Sequence, residues 1–414
     1  MTDLSRSLIA PSHLLWSSIE FWLLSFLFIL CIAAVWFYCY ATYAAVKLFF
    51  KPTTIDKTFH PAISILKPIC GCDHATYQNL ASFCQQDYPE YQIIFGIRDS
   101  TDPSLRIVQQ LVQDFPEVDI EIVVSDRSTG TNLKVNNLAN AVTQAKHNIL
   151  LLADSDIRVE SSYLRHVVQP FKDTSVGVVT CPYRSIAQGW IAKLETLNIA
   201  TEFQPGVLTS NQLEGMQFAM GSTILIRRHV LEAIGGFYAI ADYLADDFQL
   251  GYLPAQLSYK VVLSSHIVSH VVTSNTLSDV LHRQTRWMRG IRFSRPWSYM
   301  GLIFTYGTVS SCLFLYLTEF SKLGWIVVSL VWTTRFIMAW CVGVKYFADP
   351  IAKKLIWLVP LRDILSFLLW CYSFTSNTVE WRGHRFKLIE DGKLISLTSR
   401  DSALSVSTFE SSNY

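Results

Sequence analysis

Two carboxylates separated by a single residue, Asp154 and Asp156, follow the apolar run NILLLA in the middle of the chain. Hard divalent cations such as Mg²⁺ and Mn²⁺ prefer oxygen ligands, and proteins usually hold them through one or two carboxylates together with substrate phosphates. The pair therefore predicts a metal site that suits a nucleotide diphosphate. The alternative for so short a pattern is a solvated turn or a helix N-cap.

A second acidic pair, Asp246 and Asp247, stands in a polar break after the segment GGFYAIADYL. A carboxylate in such a position can act as a general base that takes the proton of an attacking hydroxyl group. The alternative is that the pair caps a helix beginning near Phe248. Taken alone, the two residues leave both interpretations open.

The segment DRSTGTNLKVNNL places hydrogen-bond donors at the predicted start of a helix. Gly130 permits a tight turn, and Lys134, Asn136 and Asn137 follow it. Backbone N–H groups at a helix start already favour anions, so these side chains are suited to an anion-binding pocket. A plain loop followed by a helix cap is the alternative.

Five arginines recur at intervals of three just before a strongly apolar stretch: Arg283, Arg286, Arg289, Arg292 and Arg295. Because an α-helix has 3.6 residues per turn, this spacing makes a slowly drifting basic stripe. The first two frame the motif RQTRW, which ends at Trp287, and arginine binds phosphates through two parallel hydrogen bonds. We predict that the other three anchor the chain at the bilayer surface, with their charged heads in water.

These residues need a scaffold in which strands and helices alternate. Runs typical of strands occur at 62–69, 91–99, 120–126 and 148–156, and helical spacing occurs between them at 77–86, 104–115 and 134–145. Such alternation predicts an α/β fold with a mostly parallel, doubly wound sheet. Ligands of these sheets bind outside the carboxyl ends of the strands, where Asp99, Asp126, Asp154 and Asp156 lie. No GxGxxG or GxxxxGK[ST] motif supports a dinucleotide or P-loop site.

The composition is typical of a membrane protein. Half of the 414 residues are hydrophobic and 16% are charged, whereas soluble domains have about 25% charged residues. A membrane span needs about 20 apolar residues, and four segments are long enough: 21–45, 299–320, 323–346 and 355–376. The alternative for the last three is buried core helices. The net charge of +1 argues against a nucleic-acid partner, and the nine cysteines have no metal-binding spacing.

These segments divide the chain into an N-terminal tail at 1–20, an anchor at 21–45, a globular domain at 52–295, three spans within 299–376 and a tail at 377–414. Lysine and arginine near span ends mark the cytoplasmic side. If the four spans cross the membrane in alternating directions, the cationic residues near their ends lie on one side. These residues are Lys47, Lys51, the arginine run, Lys345, Lys353 and Lys354. We therefore predict an integral, multi-pass membrane protein with a cytoplasmic central domain. The tail, expected to be largely disordered, would lie opposite, unless the last apolar segment is re-entrant.

In their order and spacing, these motifs resemble the ceramide glucosyltransferase family, glycosyltransferase family 21, from about Ile65 to Arg385. The matching stretches are LKP, RDSTDP, GTNLKVNNL, DSDIRV, LADDF and RQTRW. The resemblance implies a GT-A fold and a membrane-bound inverting glycosyltransferase. Such an enzyme moves a sugar from a UDP-sugar, UDP-glucose in the named family, to a lipid hydroxyl group.

The resemblance also implies roles for individual residues. Asp247 would be the catalytic base. The donor end would contain Asp99 at the uridine, Lys134, Asn136 and Asn137 around the sugar nucleotide, and Asp154 and Asp156 at a Mg²⁺ or Mn²⁺ ion and the diphosphate. The leaving diphosphate and the acceptor end would be cradled by Arg283, Arg286 and Trp287.

Two departures leave the acceptor open. Asp156 stands where animal members look to have glycine, and the stretch Ile199–Gly206 lacks the histidine that they carry. The phrases NLASFCQQDYP and TCPYR are more similar to bacterial members that add N-acetylglucosamine to a hopanoid. Ceramide and a hopanoid therefore remain alternative acceptors. A processive polysaccharide synthase, which usually has glutamine at the position of Arg283, and an inactive lipid-binding protein are further alternatives. The sequence does not indicate the oligomeric state.

Overall fold

The computed structural model describes residues 10–50, 54–272 and 276–397. The α-helices found there are α1 (Ala10–Phe50), α2 (Thr76–Cys84), α3 (Ser104–Asp114), α4 (Leu133–Ala141), α5 (Tyr163–Val167), α6 (Trp190–Asn198), α7 (Gln204–Glu214), α8 (Arg228–Ala233), α9 (Asp246–Gln256), α10 (Leu277–Ser294), α11 (Pro296–Gly301), α12 (Gly307–Leu317), α13 (Lys322–Ala339), α14 (Pro350–Leu355) and α15 (Val359–Ser373). The strands are β1 (Ile63–Ile69), β2 (Tyr91–Ile97), β3 (Asp119–Val124), β4 (Ile149–Ala153), β5 (Ile157–Arg158), β6 (Val176–Thr180), β7 (Tyr183–Ala187), β8 (Thr223–Arg227), β9 (Lys260–Leu263), β10 (Val268–Val272), β11 (Thr378–Trp381), β12 (His384–Leu388) and β13 (Leu394–Ser396).

A seven-stranded sheet with the order β3–β2–β1–β4–β8–β6–β9 forms the centre of the globular domain. The first four of these strands are parallel, whereas β8 is antiparallel to both of its neighbours. Every residue of β1 and β4 is buried, as expected for strands covered by helices on both faces. The predicted alternation of strands and helices in a mostly parallel sheet is confirmed.

Each face of the sheet packs against its own apolar layer. Neighbouring residues of a strand point to opposite faces, so Ile65 joins one layer, with Phe83, and Leu66 joins the other, with Val135. Because β1, β2, β3 and β4 run in the same direction, their carboxyl ends meet at one edge of the sheet. The polar residues that follow these strands are therefore gathered at this edge.

Long apolar helices lie at both ends of the chain. Among the described residues, three helices are long and apolar enough to cross a membrane: Ile19–Phe50, Lys322–Tyr346 and Pro350–Ser373. A fourth candidate is the pair Pro296–Thr305 and Gly307–Leu317, which is bent by 49° at its break. Each predicted apolar segment thus corresponds to a helix or a bent helix pair. Since α1 begins at Ala10, part of the predicted tail at 1–20 is helical, and residues 1–9 lie outside the described residues.

Charged side chains within the late apolar helices are paired inside the protein. Arg335 donates two hydrogen bonds to the carboxylate of Asp363, at 2.6 and 3.1 Å, and Thr308 donates to the same carboxylate. Arg362 donates to Gln284 of α10 at 3.0 Å. This arrangement agrees with the expectation that ionisable residues in apolar helices face protein rather than lipid.

Strands β11, β12 and β13 form a small antiparallel sheet near the C-terminus. Its buried face packs on Leu244, and Leu394 donates a backbone hydrogen bond to Asp242 at 2.7 Å. The structure thus corrects the prediction that residues 377–414 are largely disordered, while residues 398–414 lie outside the described part. The physical reason is the alternation of Val379, Phe386 and Leu388, which gives a mostly polar segment one apolar face.

Candidate active site

The acidic pair Asp154 and Asp156 lies just past the carboxyl end of β4, at the edge where the parallel strands end. The ammonium group of Lys134 is 2.8 Å from Oδ1 of Asp154 and 3.0 Å from Oδ2 of Asp246. Three motifs that are far apart in the sequence therefore meet at one lysine. Burial alone would lower the pKa of Lys134, but Asp154, Asp246 and Asp247 together raise it above its ordinary value.

Asp156 has a partner that no sequence motif indicated. Nε2 of His270 is 3.3 Å from its Oδ2, and Nδ1 of His270 is 3.2 Å from the hydroxyl group of Ser185. Burial would raise the pKa of Asp156, but His270 outweighs it and the pKa is lowered. For Asp154, burial is the larger effect and raises the pKa to about 6, despite the nearby Lys134.

Asp246 and Asp247 are the first two residues of α9. No side chain caps this helix, so the capping alternative is not supported. Oδ2 of Asp247 accepts a hydrogen bond from the backbone N–H of Gly221 at 2.8 Å, and Oδ1 accepts one from Phe248 at 2.9 Å. Burial raises the pKa of Asp247, and the charge of Asp246 raises it further. A raised pKa brings a carboxylate nearer to the range that a general base requires.

Gly221 lies next to both acidic pairs. A Cβ atom at this position would lie 3.1 Å from Oδ2 of Asp247 and 3.3 Å from Oδ2 of Asp154. The two carboxylates therefore both border the position that a side chain at residue 221 would occupy. Two carboxylates that border one position could act on neighbouring atoms of one small substrate group.

The acidic pair after β4 fits a hard divalent cation that is shared with a substrate. The side chains of Asp154 and Asp156 are 35% and 43% exposed, so both carboxylates can be reached from solvent. In the described part of the chain, no group of three or more acidic, histidine or cysteine side chains is arranged around a metal position. A cation held by this pair would take its other ligands from phosphate oxygens and water.

The residues predicted at the donor end differ in what their side chains do. Asp99 follows β2 and is exposed, and hydrogen bonds from the backbone and side chain of Thr101, both 2.8 Å long, lower its pKa. Asn136 accepts from the backbone N–H groups of Thr129 and Gly130 at 2.9 Å, so it fixes the turn before α4. Its amide is therefore engaged in holding the loop.

Asn137 joins the ends of two strands. Its Nδ2 donates to the carbonyl groups of Ile69 and Gly96, at 3.2 and 3.4 Å. A Cβ atom at Gly96 would lie 2.9 Å from the backbone oxygen of Asn137, so α4 and β2 pack too closely for any larger residue. The two asparagines therefore hold the backbone around the start of α4, whereas Lys134 contacts the carboxylates.

The first two arginines of the basic run have different surroundings. Arg283 forms an ion pair with the fully buried Glu195, in which its Nε donates at 2.7 Å and its Nη2 donates in parallel. Arg286 stacks on the ring of Trp381 at 5.0 Å, and none of the described ion pairs includes it. Burial and the like charges of Arg283 and Arg382 lower the pKa of Arg286 to about 10. Trp287 lies beside Arg283, with 5.9 Å between guanidinium and ring.

The last three arginines bind protein groups, which differs from the predicted role at the bilayer surface. Arg289 is buried and donates to the backbone oxygen of Thr378. Arg292 donates to Ser376 at 3.1 Å, and Arg295 pairs with Glu214. These arginines therefore attach α10 to the C-terminal sheet and to α7.

Sequence reasoning missed several residues that complete the site. Lys67 of β1 is buried and donates to the backbone oxygen of Asp154 at 2.7 Å, and burial lowers its pKa to about 7. The LKP stretch was recognised, but no pattern indicated that its lysine supports the acidic pair. His270, Glu195 and Trp381 were missed for a common reason, since each meets its partner only through long-range folding.

Comparisons with known sequences agree along most of the chain. A sequence profile described as glycosyl transferase family 21 matches residues 26–394. Ceramide glucosyltransferase 3 of Caenorhabditis elegans is 25% identical over 346 residues, which cover 81% of this chain and 74% of the relative. Ceramide glucosyltransferase of Candida albicans is 36% identical over 130 residues, 28% of this chain and 24% of the relative.

A solved structure shares the architecture. The mannosyltransferase PcManGT of Pyrobaculum calidifontis, in complex with GDP-Man and Mn²⁺, has a TM-score of 0.53 at 16% identity. The match covers 85% of this chain and 96% of the mannosyltransferase. At this identity the likeness concerns the fold, which is the GT-A fold of glycosyltransferases.

Proposed function

The chain belongs to glycosyl transferase family 21 and is a hexosyltransferase of the ceramide glucosyltransferase type, and we propose that it moves glucose from UDP-glucose to ceramide or a similar sphingolipid. The anomeric carbon would be inverted in one displacement. The observation that carries this proposal is that the carboxylates of Asp247 and Asp154 both lie next to Gly221. This arrangement suits a base at the sugar and a second carboxylate at the diphosphate.

In the proposed reaction, the acceptor hydroxyl oxygen attacks the anomeric carbon from the face opposite UDP. The new carbon–oxygen bond forms as the bond between the anomeric carbon and the phosphate oxygen breaks. Asp247 takes the hydroxyl proton, and its two backbone hydrogen bonds hold it in position. Arg286 and Lys134 stabilise the negative charge that develops on UDP.

Asp154 and Asp156 would hold a Mg²⁺ or Mn²⁺ ion at the diphosphate. Such an ion neutralises charge on the leaving group and orients it. Asp99 would contact the uridine, at the end of β2, while Asn136 and Asn137 keep the donor pocket open. Arg283 and Trp287 would lie at the leaving diphosphate and the acceptor end, and Glu195 of α6 fixes the position of Arg283.

We also propose a membrane topology in which three segments cross the bilayer: α1, the bent pair that ends with α12 (Pro296–Thr305 and Gly307–Leu317), and α13. Phe314 of α12 stacks near Phe28 of α1, with 5.7 Å between ring centroids, and Tyr346 stacks on Phe49 at 5.3 Å. Thus α12 runs outward beside α1, and α13 returns to the side of the globular domain. Lysine and arginine at this side make it the cytoplasmic one.

Helix α15 would lie along the membrane surface rather than cross it. Its Arg362 contacts Gln284, near the start of α10, and Phe374 lies 5.4 Å from the guanidinium of Arg292, near the end of α10. The two helices are therefore side by side along their length. With α15 on the membrane surface, the C-terminal sheet stays on the cytoplasmic side, where it packs against the globular domain.

The lipid product of cells that express this chain tests the proposed function. Lipid extracts are compared by mass spectrometry with those of a matched Asp247→Asn strain, with ceramide and a hopanoid supplied. A lipid heavier by one hexose and absent from the control supports ceramide-type glucosylation. A hopanoid heavier by one N-acetylhexosamine favours the alternative acceptor and sugar. An insoluble sugar polymer indicates a polysaccharide synthase, and no product at all contradicts the proposal.

A further inference from the structure

The tip of the β11–β12 hairpin lies at the edge of the donor site. Trp381 pairs with His384 across the hairpin, and Arg382 and Gly383 form the turn with positive φ angles of 52° and 76°. Nη1 of Arg382 donates to the backbone oxygen of Cys70 at 2.8 Å. Cys70 directly follows β1, so this contact brings the C-terminal segment to the edge where the parallel strands end.

The hairpin is held in this position by the loop that carries the acidic pair of α9. The backbone N–H of Leu244 donates to Gly392 at 3.0 Å, and Leu394 donates to Asp242 at 2.7 Å. Leu244 also packs in the apolar face of the small sheet. It stands two residues before Asp246, so the sheet is attached directly beside the proposed base.

The guanidinium groups of Arg283, Arg286 and Arg382 lie near one another here. They differ in whether a carboxylate forms an ion pair with them. Arg283 is paired with Glu195. Arg286 contacts the ring of Trp381, and Arg382 contacts a neutral carbonyl group, and neither takes part in the ion pairs of the described residues. The repulsion of Arg286 by Arg283 and Arg382 exceeds its attraction to the acidic pair of α9. A bound anion relieves such repulsion. The nearest anion that the proposed reaction brings to this edge is a diphosphate.

We propose that the hairpin tip is part of the donor site, with Arg382 binding the diphosphate of the nucleotide sugar and Trp381 positioning Arg286 for the same group. This inference rests on the proposed function. The hydrogen bond from Arg382 to Cys70 is exposed, so the guanidinium can exchange the carbonyl oxygen for a phosphate oxygen without leaving a buried group unpaired. Trp381 acts through Arg286, since the indole ring holds the guanidinium by cation–π contact.

Binding of UDP to the purified full-length protein, with Mn²⁺ present, tests the role of Arg382. Arg382→Gln is compared with Arg385→Gln, which removes the same charge from an exposed position of the same sheet. A hydrogen bond to a charged group corresponds to at least about a tenfold change in affinity. We therefore expect a weaker UDP affinity by that factor for Arg382→Gln alone, with uridine affinity unchanged and partial recovery in Arg382→Lys.

Equal UDP affinities for the two glutamine variants would overturn the inference, and so would a parallel loss of uridine binding, which indicates a loosened fold. A wild-type protein that binds no UDP contradicts the proposed function instead, so the two failures are distinct. For Trp381, the Leu variant should lower kcat more than it raises KM for the donor, and the Phe variant should recover most of the loss. Equal kcat values for Trp381→Leu and the wild type would remove Trp381 from the proposal.

Discussion

The ammonium group of Lys134 lies 2.8 Å from Oδ1 of Asp154, and this contact joins the start of α4 to the end of β4. The same ammonium group is 3.0 Å from Asp246, so one cation neutralises carboxylates from two separate motifs. A lysine in this position holds acidic side chains together that would otherwise repel one another. It would also compete with the proposed divalent cation for one oxygen of Asp154.

The first prediction concerns removal of this lysine. Lys134→Met leaves Asp246, which is buried, and Asp154, which is partly exposed, without their shared cation. We expect the free energy of unfolding to fall by about 1–3 kcal/mol, less than for a fully buried pair because solvent screens Asp154. Added Mn²⁺ should raise the Tm of the variant more than that of the wild type, since the ion takes over the neutralisation of Asp154.

Thermal unfolding in detergent, with and without Mn²⁺, measures both effects. Lys260→Met is the control, because Lys260 forms an exposed ion pair with Asp173 at 2.9 Å and should change stability by less than about 1 kcal/mol. An identical response to Mn²⁺ in Lys134→Met and the wild type would speak against a cation at Asp154.

The second prediction concerns the space next to the two acidic pairs. Gly221→Ala adds a methyl group 3.1 Å from Asp247 and 3.3 Å from Asp154, and the backbone angle at Gly221 permits alanine. The carboxylates must shift by a few tenths of an ångström, and displacements of reacting groups are costly to catalysis. We expect kcat to fall by about 10–100-fold with little loss of stability.

Gly206→Ala provides the matched comparison, since a Cβ atom there meets nothing within 4 Å. Turnover of the donor by the two variants is measured at saturating acceptor, and folding is checked by Tm. If Gly221→Ala keeps the kcat of Gly206→Ala, the carboxylates that border Gly221 are not the reacting pair.

The third prediction separates two arginines of the RQTRW motif. Arg283→Gln leaves the fully buried Glu195 without its ion-pair partner, which typically costs about 3–5 kcal/mol. No described ion pair includes Arg286, and its burial and the like charges around it outweigh the attraction of Asp246 and Asp247. Arg286→Gln should therefore leave stability unchanged or slightly higher. Arg286→Gln should instead lower kcat, because the negative charge that develops on UDP loses a stabilising cation.

Parallel measurements of Tm and kcat decide between the two roles. Arg283→Gln should lower both quantities, while Arg286→Gln should lower kcat alone. A strongly reduced Tm for Arg286→Gln would mean that its stacking on Trp381 is structural rather than catalytic.

Much of the fold could be predicted from the sequence because its local signals agree. Buried strands such as β1 and β4 are continuous apolar runs, and amphipathic helices separate them, so the order of elements follows from periodicity. The acidic residues after β4 were assigned to the site because strand ends carry ligands in such sheets. The antiparallel β8 gave no such signal, since the direction of a strand depends on its connections and not on its composition.

The parts that could not be predicted depend on contacts between distant segments. His270 reaches Asp156 because β10 pairs with β5, where His270 is opposite Ile157. No sequence pattern near His270 predicts this strand pairing. The C-terminal sheet was missed because its strands are short and their outward faces are charged. The arginines of α10 were assigned to the membrane surface since the sequence could not reveal Thr378 and Glu214 as partners.

The fourth prediction concerns the dependence of turnover on pH. Burial and Asp246 raise the pKa of Asp247, and a base works only when it is ionised. Activity should therefore be lost as the pH falls through a value above the ordinary aspartate pKa of about 3.9. The pKa of Asp154 is raised to about 6. When little cation is present, protonation of Asp154 should therefore cause a second loss of activity at acid pH.

The cation concentration distinguishes the two groups. Protons and Mn²⁺ compete for Asp154, so the loss of activity caused by its protonation should move to lower pH as the Mn²⁺ concentration increases. The loss of activity caused by protonation of Asp247 should stay at the same pH. The measurement is kcat/KM against pH at low and saturating Mn²⁺, with tryptophan fluorescence as a check of folding at each pH. A single loss of activity that moves below pH 4 at saturating Mn²⁺ would exclude Asp247 as the base.

The fifth prediction concerns the side of the membrane on which each loop lies. The turn between α12 and α13 contains Glu319 and Phe320, both with positive φ, and lies beyond the contact of α12 with Phe28 near the start of the span. An epitope inserted there should be on the opposite side from an epitope at the C-terminus. The C-terminal epitope should share the side of the globular domain, because β11 to β13 pack on Leu244.

Antibody access in sealed vesicles, before and after permeabilisation, measures these positions in the full-length protein. An epitope in the exposed loop at Asp173 marks the side of the globular domain. Between Arg295 and Thr378 the chain must cross an even number of times, since both residues contact the same domain. Two crossings by α12 and α13 meet this condition when α15 lies along α10. Joint accessibility of the C-terminal epitope and the epitope at Glu319 would require a third crossing and would contradict the proposed topology.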